Sequence, residues 1–331
     1  MKILIIGGTR NMGYFLARQI IDDGHSLSLL NRGVTRDELP DDIPRYHADR
    51  TDITQMRRAL AGRDFDVVVD MTLFKEQEAE DIVELLDGQV GRYIFVSTGQ
   101  VYLIREGITR PFREVDYFNP IIPAPEANTY DYEEWLYGNE KSAAEDVLAR
   151  AYTDRGFPYT SLRLPMVNSE RDGFNRLYGY YLRLKDHGPI LVPSAPDHRV
   201  RHVYSHDAVK AIMTLINTDK GMGKAYNISQ DETLTLEEFL RTLSDVMGVP
   251  ANIQRVDRYL LEANGFLPDC SPFSDMWMSE MDNTLSKQEL GMTYTPVRTY
   301  LENIVAYYNN HSLQTPSSYR RRQAEKMLVL T

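Results

Sequence analysis

The sequence predicts an α/β fold, a doubly wound parallel sheet followed by a smaller C-terminal α/β domain. Three observations predict it. An apolar run, Lys2–Ile6, leads straight into the glycine turn Gly7-Gly8-Thr9-Arg10-Asn11-Met12-Gly13. Short apolar runs then alternate with amphipathic stretches, the pattern of parallel strands covered by helices on both faces. Finally, Tyr137 and Lys141 stand one helical turn apart between the fourth and fifth of those runs.

The candidate strands are Lys2–Ile6, Ser26–Leu30, Asp66–Asp70, Arg92–Ser97 and Tyr159–Leu164. Between the first two, Met12, Phe15, Leu16 and Ile20 recur at helical spacing, and Gly24 supplies a stop. In the second half Val203–Tyr204 and Ala208–Ile216 read as a return strand and helix of the first domain. That domain is expected to span residues 1–165 plus about 200–224. A substrate domain would take about 166–199 plus 225–315, leaving 316–331 as a tail with a small basic run, Arg320-Arg321-Arg322. Proline clusters at Pro120–Pro125 and Pro189–Pro196 mark loops.

Composition narrows the function. The chain has 331 residues, 42% hydrophobic and 26% charged, with a net charge of −11. Such acidity disfavours nucleic acid and anionic membranes as partners. No apolar run approaches the ~20 residues of a membrane span. A strand at residue 2 leaves no room for a leader, and Cys270 is the only cysteine, so a cytoplasmic protein without disulfides is expected.

A glycine turn between a first strand and its helix lets backbone approach a pyrophosphate at the helix N-terminus, the Rossmann-type dinucleotide site. Here Arg10 takes the middle glycine's place. The second strand ends in Asn31-Arg32, where an NAD enzyme would place a carboxylate for the ribose 2′-hydroxyl. Arg10 and Arg32 can instead clamp a 2′-phosphate, which favours NADP over NAD.

Tyr137 and Lys141 project from one helix face, and the ammonium is expected to favour phenolate, making the tyrosine an acid or base nearer neutral pH. The same spacing recurs at Tyr181–Lys185, which lies beyond the fifth strand and reads as a core or lid aromatic. The strand ending in Ser97-Thr98 delivers a hydroxyl to the sheet's carboxyl edge. His198, His202 and His206 recur every four residues, but in a strand that spacing is too wide for one tetrahedral metal site, so no metal is expected.

At these motifs the chain resembles the extended short-chain dehydrogenase/reductases, the family of nucleotide-sugar epimerases and dehydratases, over roughly residues 1–230. Tyr137-Gly138, Lys141, Ala144 and Glu145 match the family's catalytic helix, which implies Tyr137 as acid/base and Lys141 as its partner and ribose ligand. Thr98, three residues before Val101-Tyr102, matches the catalytic Ser/Thr position. The resemblance further implies Gly7, Gly8, Thr9, Arg10, Asn11, Met12, Gly13, Asn31, Arg32, Asp49, Arg50, Met71, Thr72 and Pro165 as cofactor contacts. It implies Lys75, Gln100, Met166 and Arg201 as substrate contacts, with Arg199 competing for the last place.

Gly-Gly-Thr-Arg and Asn31-Arg32-Gly33 resemble an atypical branch in which catalytic residues vary. Gly99-Gln100 replace the Asp-Glu of sugar-nucleotide dehydratases, which disfavours elimination. Met166 replaces the epimerases' usual Asn, and Ala127–Trp135 reads as an insertion ahead of the catalytic helix. The expected activity is NADP-dependent hydride transfer at a carbonyl or secondary alcohol, by an epimerase or ketoreductase of a sugar nucleotide, in a homodimer. The alternatives are a reductase of a non-sugar carbonyl metabolite and a non-catalytic, cofactor-sensing or RNA-associated protein.

Overall fold

The computed structural model describes residues 1–197 and 199–328. In chain order the elements are β1 (Lys2–Ile6), α1 (Met12–Asp22), β2 (Ser26–Asn31), β3 (Arg45–His47), α2 (Ile53–Leu60), β4 (Phe65–Asp70), α3 (Glu76–Leu86), β5 (Val90–Thr98), α4 (Gln100–Leu103), α5 (Tyr130–Arg155) and β6 (Tyr159–Leu164). There follow β7 (Val167–Asn168), α6 (Arg176–Lys185), β8 (Ile190–Pro193), β9 (Arg199–Val200), β10 (Val203–Tyr204), α7 (Ser205–Ile216) and β11 (Lys224–Asn227). The last are β12 (Leu234–Thr235), α8 (Leu236–Met247), β13 (Ile253–Val256), α9 (Arg258–Ala263), α10 (Val297–Asn310) and α11 (Arg322–Leu328). Among the described residues no helix is long and apolar enough to cross a membrane.

The chain divides into two compact units. The first, Met1–Pro165 with Ser205–Ser229 and Met281–Thr293, is built on a seven-stranded sheet of order β11-β6-β5-β4-β1-β2-β3 with every neighbouring pair parallel. The order reverses between β1 and β4, the crevice where doubly wound sheets bind ligands. Both faces are covered, so these strands read as continuous apolar runs and not as alternating ones. Leu4 and Ile6 of β1 join Val68, Phe95 and residues of α2, α3 and α5 in one buried cluster, while Ile3 and Ile5 are equally buried on the opposite face. Each such side chain contributes about 1.5–3 kcal/mol of burial. Helix α1 begins after the glycine turn and ends with Gly24 at φ +76°, a left-handed stop.

The second unit comprises Met166–Tyr204, Gln230–Glu280 and Tyr294–Thr331. Its core joins Tyr180, Tyr181 and Leu184 of α6 to Phe239, Leu240 and Leu243 of α8 and Tyr300, Leu301 and Ile304 of α10. Tyr181, whose hydroxyl donates to Asn309 Oδ1 at 2.8 Å, is thus a core residue.

Several local expectations need correction. Val203–Tyr204 does not return to the large sheet: it pairs in parallel with Val167–Asn168 in the second unit, and the seventh strand of the large sheet is β11. Two buried residues fit either site, and only tertiary pairing decides between them. Residues 225–229 and 281–293 fall in the first unit. Pro189–Pro196 is not all loop, because Ile190–Pro193 pairs in parallel with β13 as an edge strand that tolerates a terminal proline.

The segment from 316 is no solvated tail among its described residues. Arg322 is 3% exposed, with its Nη2 2.7 Å from Asp186 Oδ1. Glu325 of the same helix takes the fully buried Arg183 guanidinium at 2.5 Å. Arg321 lies over the Phe266 ring and donates to Asn264 and Gly265 carbonyls, while Arg320 is exposed. A basic triplet looks solvated in sequence because Asp186, which holds Arg322, lies 136 residues away.

Candidate functional site

At the carboxyl ends of β1, β2 and β4 in the first unit lies a cavity of about 580 Å³. Its wall includes Gly7, Gly8, Thr9, Arg10, Asn11, Met12 and Gly13 from the glycine turn, Asn31 and Arg32 after β2, Asp49 and Arg50 after β3, and Met71 and Thr72 after β4. Thirteen of the fourteen residues expected around the cofactor therefore line one cavity. Pro165, buried directly after β6, is not on that wall.

Gly7 and Gly8 adopt φ +80° and +71°. Gly13 is required by close approach: a Cβ there would lie 2.2 Å from the Gly8 carbonyl oxygen and 2.4 Å from its Cα. Two main-chain segments thus touch across the turn, leaving the space where a pyrophosphate fits. Asn11, at the start of α1 and on the same wall, has a buried Oδ1 with no protein hydrogen-bond partner. An orphaned polar atom in a glycine cradle is what a bound dinucleotide would satisfy.

After β2, Asn31 Oδ1 accepts from Gly33 N at 2.8 Å, and Arg10 Nη2 donates to Thr35 Oγ1 at 2.8 Å. No carboxylate stands at the end of β2 itself. Asp49 accepts from both Thr51 N and Thr51 Oγ1, and those bonds hold its carboxyl below the usual range. Arg50 is turned into the protein, with Nη1 2.7 Å from the buried Asp70 and Nε 3.1 Å from Glu78. Tyr93 OH also donates to Asp70, at 2.7 Å. Breaking such a buried pair costs about 3–5 kcal/mol, so Arg50 acts first as a strut of the cavity floor. The wall also includes Val34, Thr35, Phe74 and Glu78, which carry no motif that marks them in sequence.

The reacting groups stand beside this cavity, across Phe74. The Phe74 ring lines the wall, lies 6.2 Å from the Tyr137 ring and sits 5.1 Å from Lys141 Nζ. Thr98 ends β5, and its hydroxyl lies near enough to that of Tyr137 to favour the phenolate against burial. Lys141 is 2% exposed; its Nζ donates to the Leu73 and Val96 carbonyls at 2.8 and 2.9 Å and lies over the Phe95 ring. Burial pushes this amine down to about 7, against the opposing charges of Asp70 and Glu145.

The sequence expectation that Lys141 favours the phenolate is not met in this state. Burial raises Tyr137, the Thr98 hydrogen bond opposes this and the charge of Glu134 adds to it; Lys141 is held instead by two carbonyls. A second correction concerns the helix itself. Ala127–Trp135 is not an insertion ahead of it, because α5 starts at Tyr130 with Thr129 as its cap, so Tyr130–Trp135 form its first turns.

The remaining expected contacts are dispersed. Lys75 is exposed and lies 3.8 Å from Glu140, whereas Gln100 is buried and donates to Glu134 Oε2 at 2.6 Å. Met166 and Arg201 belong to the second unit, where Met166 O accepts from Val203 N and Arg201 Nε donates to Gln230 O. Arg199 is exposed on β9. His202 is buried in the second unit, while His206 opens α7 in the first, so the histidine segment is not one strand. His198 lies outside the described residues.

A doubly wound sheet with a glycine cradle at its switch point, and a Thr, Tyr and Lys group beside it, is the architecture of the short-chain dehydrogenase/reductase class. The profile of the NAD dependent epimerase/dehydratase family matches residues 3–229, and the chain belongs to that family.

Among relatives, a chloroplast stem-loop binding protein of 41 kDa from Arabidopsis thaliana is 27% identical over 75% of this chain and 64% of its own length. The chain thus spans less than two thirds of that relative. A 2′-dehydrokanamycin reductase from Streptomyces kanamyceticus is 23% identical over 76% of this chain and 68% of its own. A UDP-glucose 4-epimerase from Thermotoga maritima, solved with UDP-glucose, shares the fold at TM-score 0.71 and 18% identity, covering 94% of this chain and 99% of the other.

Proposed function

We propose that the chain catalyses NADP-dependent hydride transfer at a carbonyl or secondary alcohol of a sugar nucleotide, as a ketoreductase or epimerase. The observation that carries this reading is the Tyr137 phenol beside the Thr98 hydroxyl, with Lys141 one turn on, joined by Phe74 to the cavity of the glycine turn. Asn11, Gly7, Gly8 and Gly13 would hold the pyrophosphate. When bound, the dinucleotide supplies or takes the hydride. Tyr137 gives its proton to the substrate oxygen on reduction, or accepts it on oxidation, while Thr98 donates a hydrogen bond to the same oxygen. The reductase and epimerase among the similar proteins support both directions. Net consumption of NADPH with a keto sugar would identify a reductase; turnover of a nucleotide sugar without net consumption would identify an epimerase.

The NADP preference rests on Arg10 and Arg32 on the cavity wall and on Asn31, not a carboxylate, at the end of β2. Guanidinium matches phosphate in a fork geometry, so the 2′-phosphate gains contacts that NAD lacks. Thermal melts should rise more with NADP than with NAD at equal concentration. In the Arg10→Ala/Arg32→Ala variant the two shifts should become equal. A larger shift with NAD in the native protein would overturn the preference.

A further inference from the structure

Glu134 belongs to no motif, yet it stands at the reacting phenol. It lies three residues before Tyr137 on α5, so the two side chains are neighbours on one helix face. Its carboxylate is fixed from another element: Gln100, 6% exposed, donates Nε2 to Glu134 Oε2 at 2.6 Å. Gln100 is itself tied to the catalytic loop, since its backbone N donates to Thr98 Oγ1 at 3.2 Å. The contact between the two helices is tight, because a Cβ on Gly138 would lie 2.8 Å from the Gln100 carbonyl oxygen. Gln100 thus links the Thr98 loop to Glu134 on the helix that carries Tyr137, all within the first unit.

We propose that Glu134, clamped by Gln100, is a positioning residue for proton transfer: its carboxylate, one turn before Tyr137 on the same face of α5, favours giving the phenol proton to a carbonyl oxygen over taking a proton from an alcohol. This rests on the reading of Tyr137 as the proton-transfer group. In the reductive step the substrate carbon gains a hydride from the dinucleotide and its oxygen gains the Tyr137 proton. The resulting phenolate is reprotonated from solvent.

Other charges around the phenol do not take this role. Lys141 on the same helix is bound to the Leu73 and Val96 carbonyls, and Glu140 is 3.8 Å from Lys75 on the β4–α3 loop. Arg105, after α4, donates to Ser142 and lies over the Tyr117 ring. A negative charge beside a phenol disfavours the phenolate, and the half-buried setting of the two groups weakens screening by solvent.

The test is an ultraviolet difference titration of phenolate absorbance in the native protein, Glu134→Gln and Glu134→Asp, each with Tyr137→Phe in the same background subtracted. The Tyr137 midpoint is expected to move to lower pH in Glu134→Gln and to return in Glu134→Asp. With a substrate in hand, the ratio of kcat for oxidation to kcat for reduction, each at saturating substrates and one pH, should rise about three- to tenfold in Glu134→Gln. An unmoved midpoint and an unmoved ratio would overturn the role of Glu134. If Tyr137→Phe keeps full turnover, the proposed function fails instead, and the two failures stay distinct.

Discussion

Tyr137→Phe is expected to lower kcat/KM by about 10²- to 10⁴-fold while leaving NADP affinity unchanged, because a positioned acid or base supplies acceleration of that size. The phenylalanine ring keeps the packing against Phe74, whose centroid lies 6.2 Å away, so the cavity wall and the fold are retained. What is lost is the hydroxyl beside Thr98 that would give or take the proton. The native pH profile should carry the same mark. Because burial raises the Tyr137 phenol, reduction should be flat across neutral pH, and oxidation, which needs phenolate, should climb with pH. Initial rates in both directions, with cofactor affinity by nucleotide fluorescence, check this. Turnover within about threefold of the native value would remove Tyr137 from the chemistry.

Gly13→Ala is expected to weaken cofactor binding by roughly ten- to a hundredfold. The new Cβ would fall 2.2–2.5 Å from three backbone atoms of Gly8, with no flexible side chain to yield. The turn must open, at the 1–3 kcal/mol typical of forced overpacking, and each 1.4 kcal/mol is a factor of ten in affinity. The loss should appear as a weaker calorimetric Kd and a smaller thermal shift on adding NADP. A Kd within about twofold of the native protein would show that the turn does not hold the pyrophosphate.

Much of this site was legible because its signals are local. A strand entering a glycine turn, a Tyr and Lys one turn apart and a Thr at a strand end are spaced by backbone geometry alone. Thirteen of the expected cofactor contacts accordingly share one cavity wall. Phe74 escaped because nothing in its neighbourhood distinguishes a ring that joins two sites from one that packs. The sequence marks Glu134 only as one of the acids of Ala127–Trp135, with Asp131 and Glu133, able to shape a pocket; its link to the phenol comes from Gln100, 34 residues away. The direction of the Tyr137 shift was misjudged for a related reason: spacing places an ammonium on the same helix face, but cannot say that two carbonyls hold it elsewhere.

The sequence by itself determined the parallel sheet, the cradle at its switch point and the spacing of the Thr, Tyr and Lys group, since each depends on periodicity and turn chemistry within a few residues. Only the tertiary structure decided which short strand completes the large sheet, that the final basic run is locked by Asp186 and Glu325, and which charges surround the phenol. These outcomes turn on pairings between residues far apart in the chain, where several partners satisfy the same local pattern and only burial selects one.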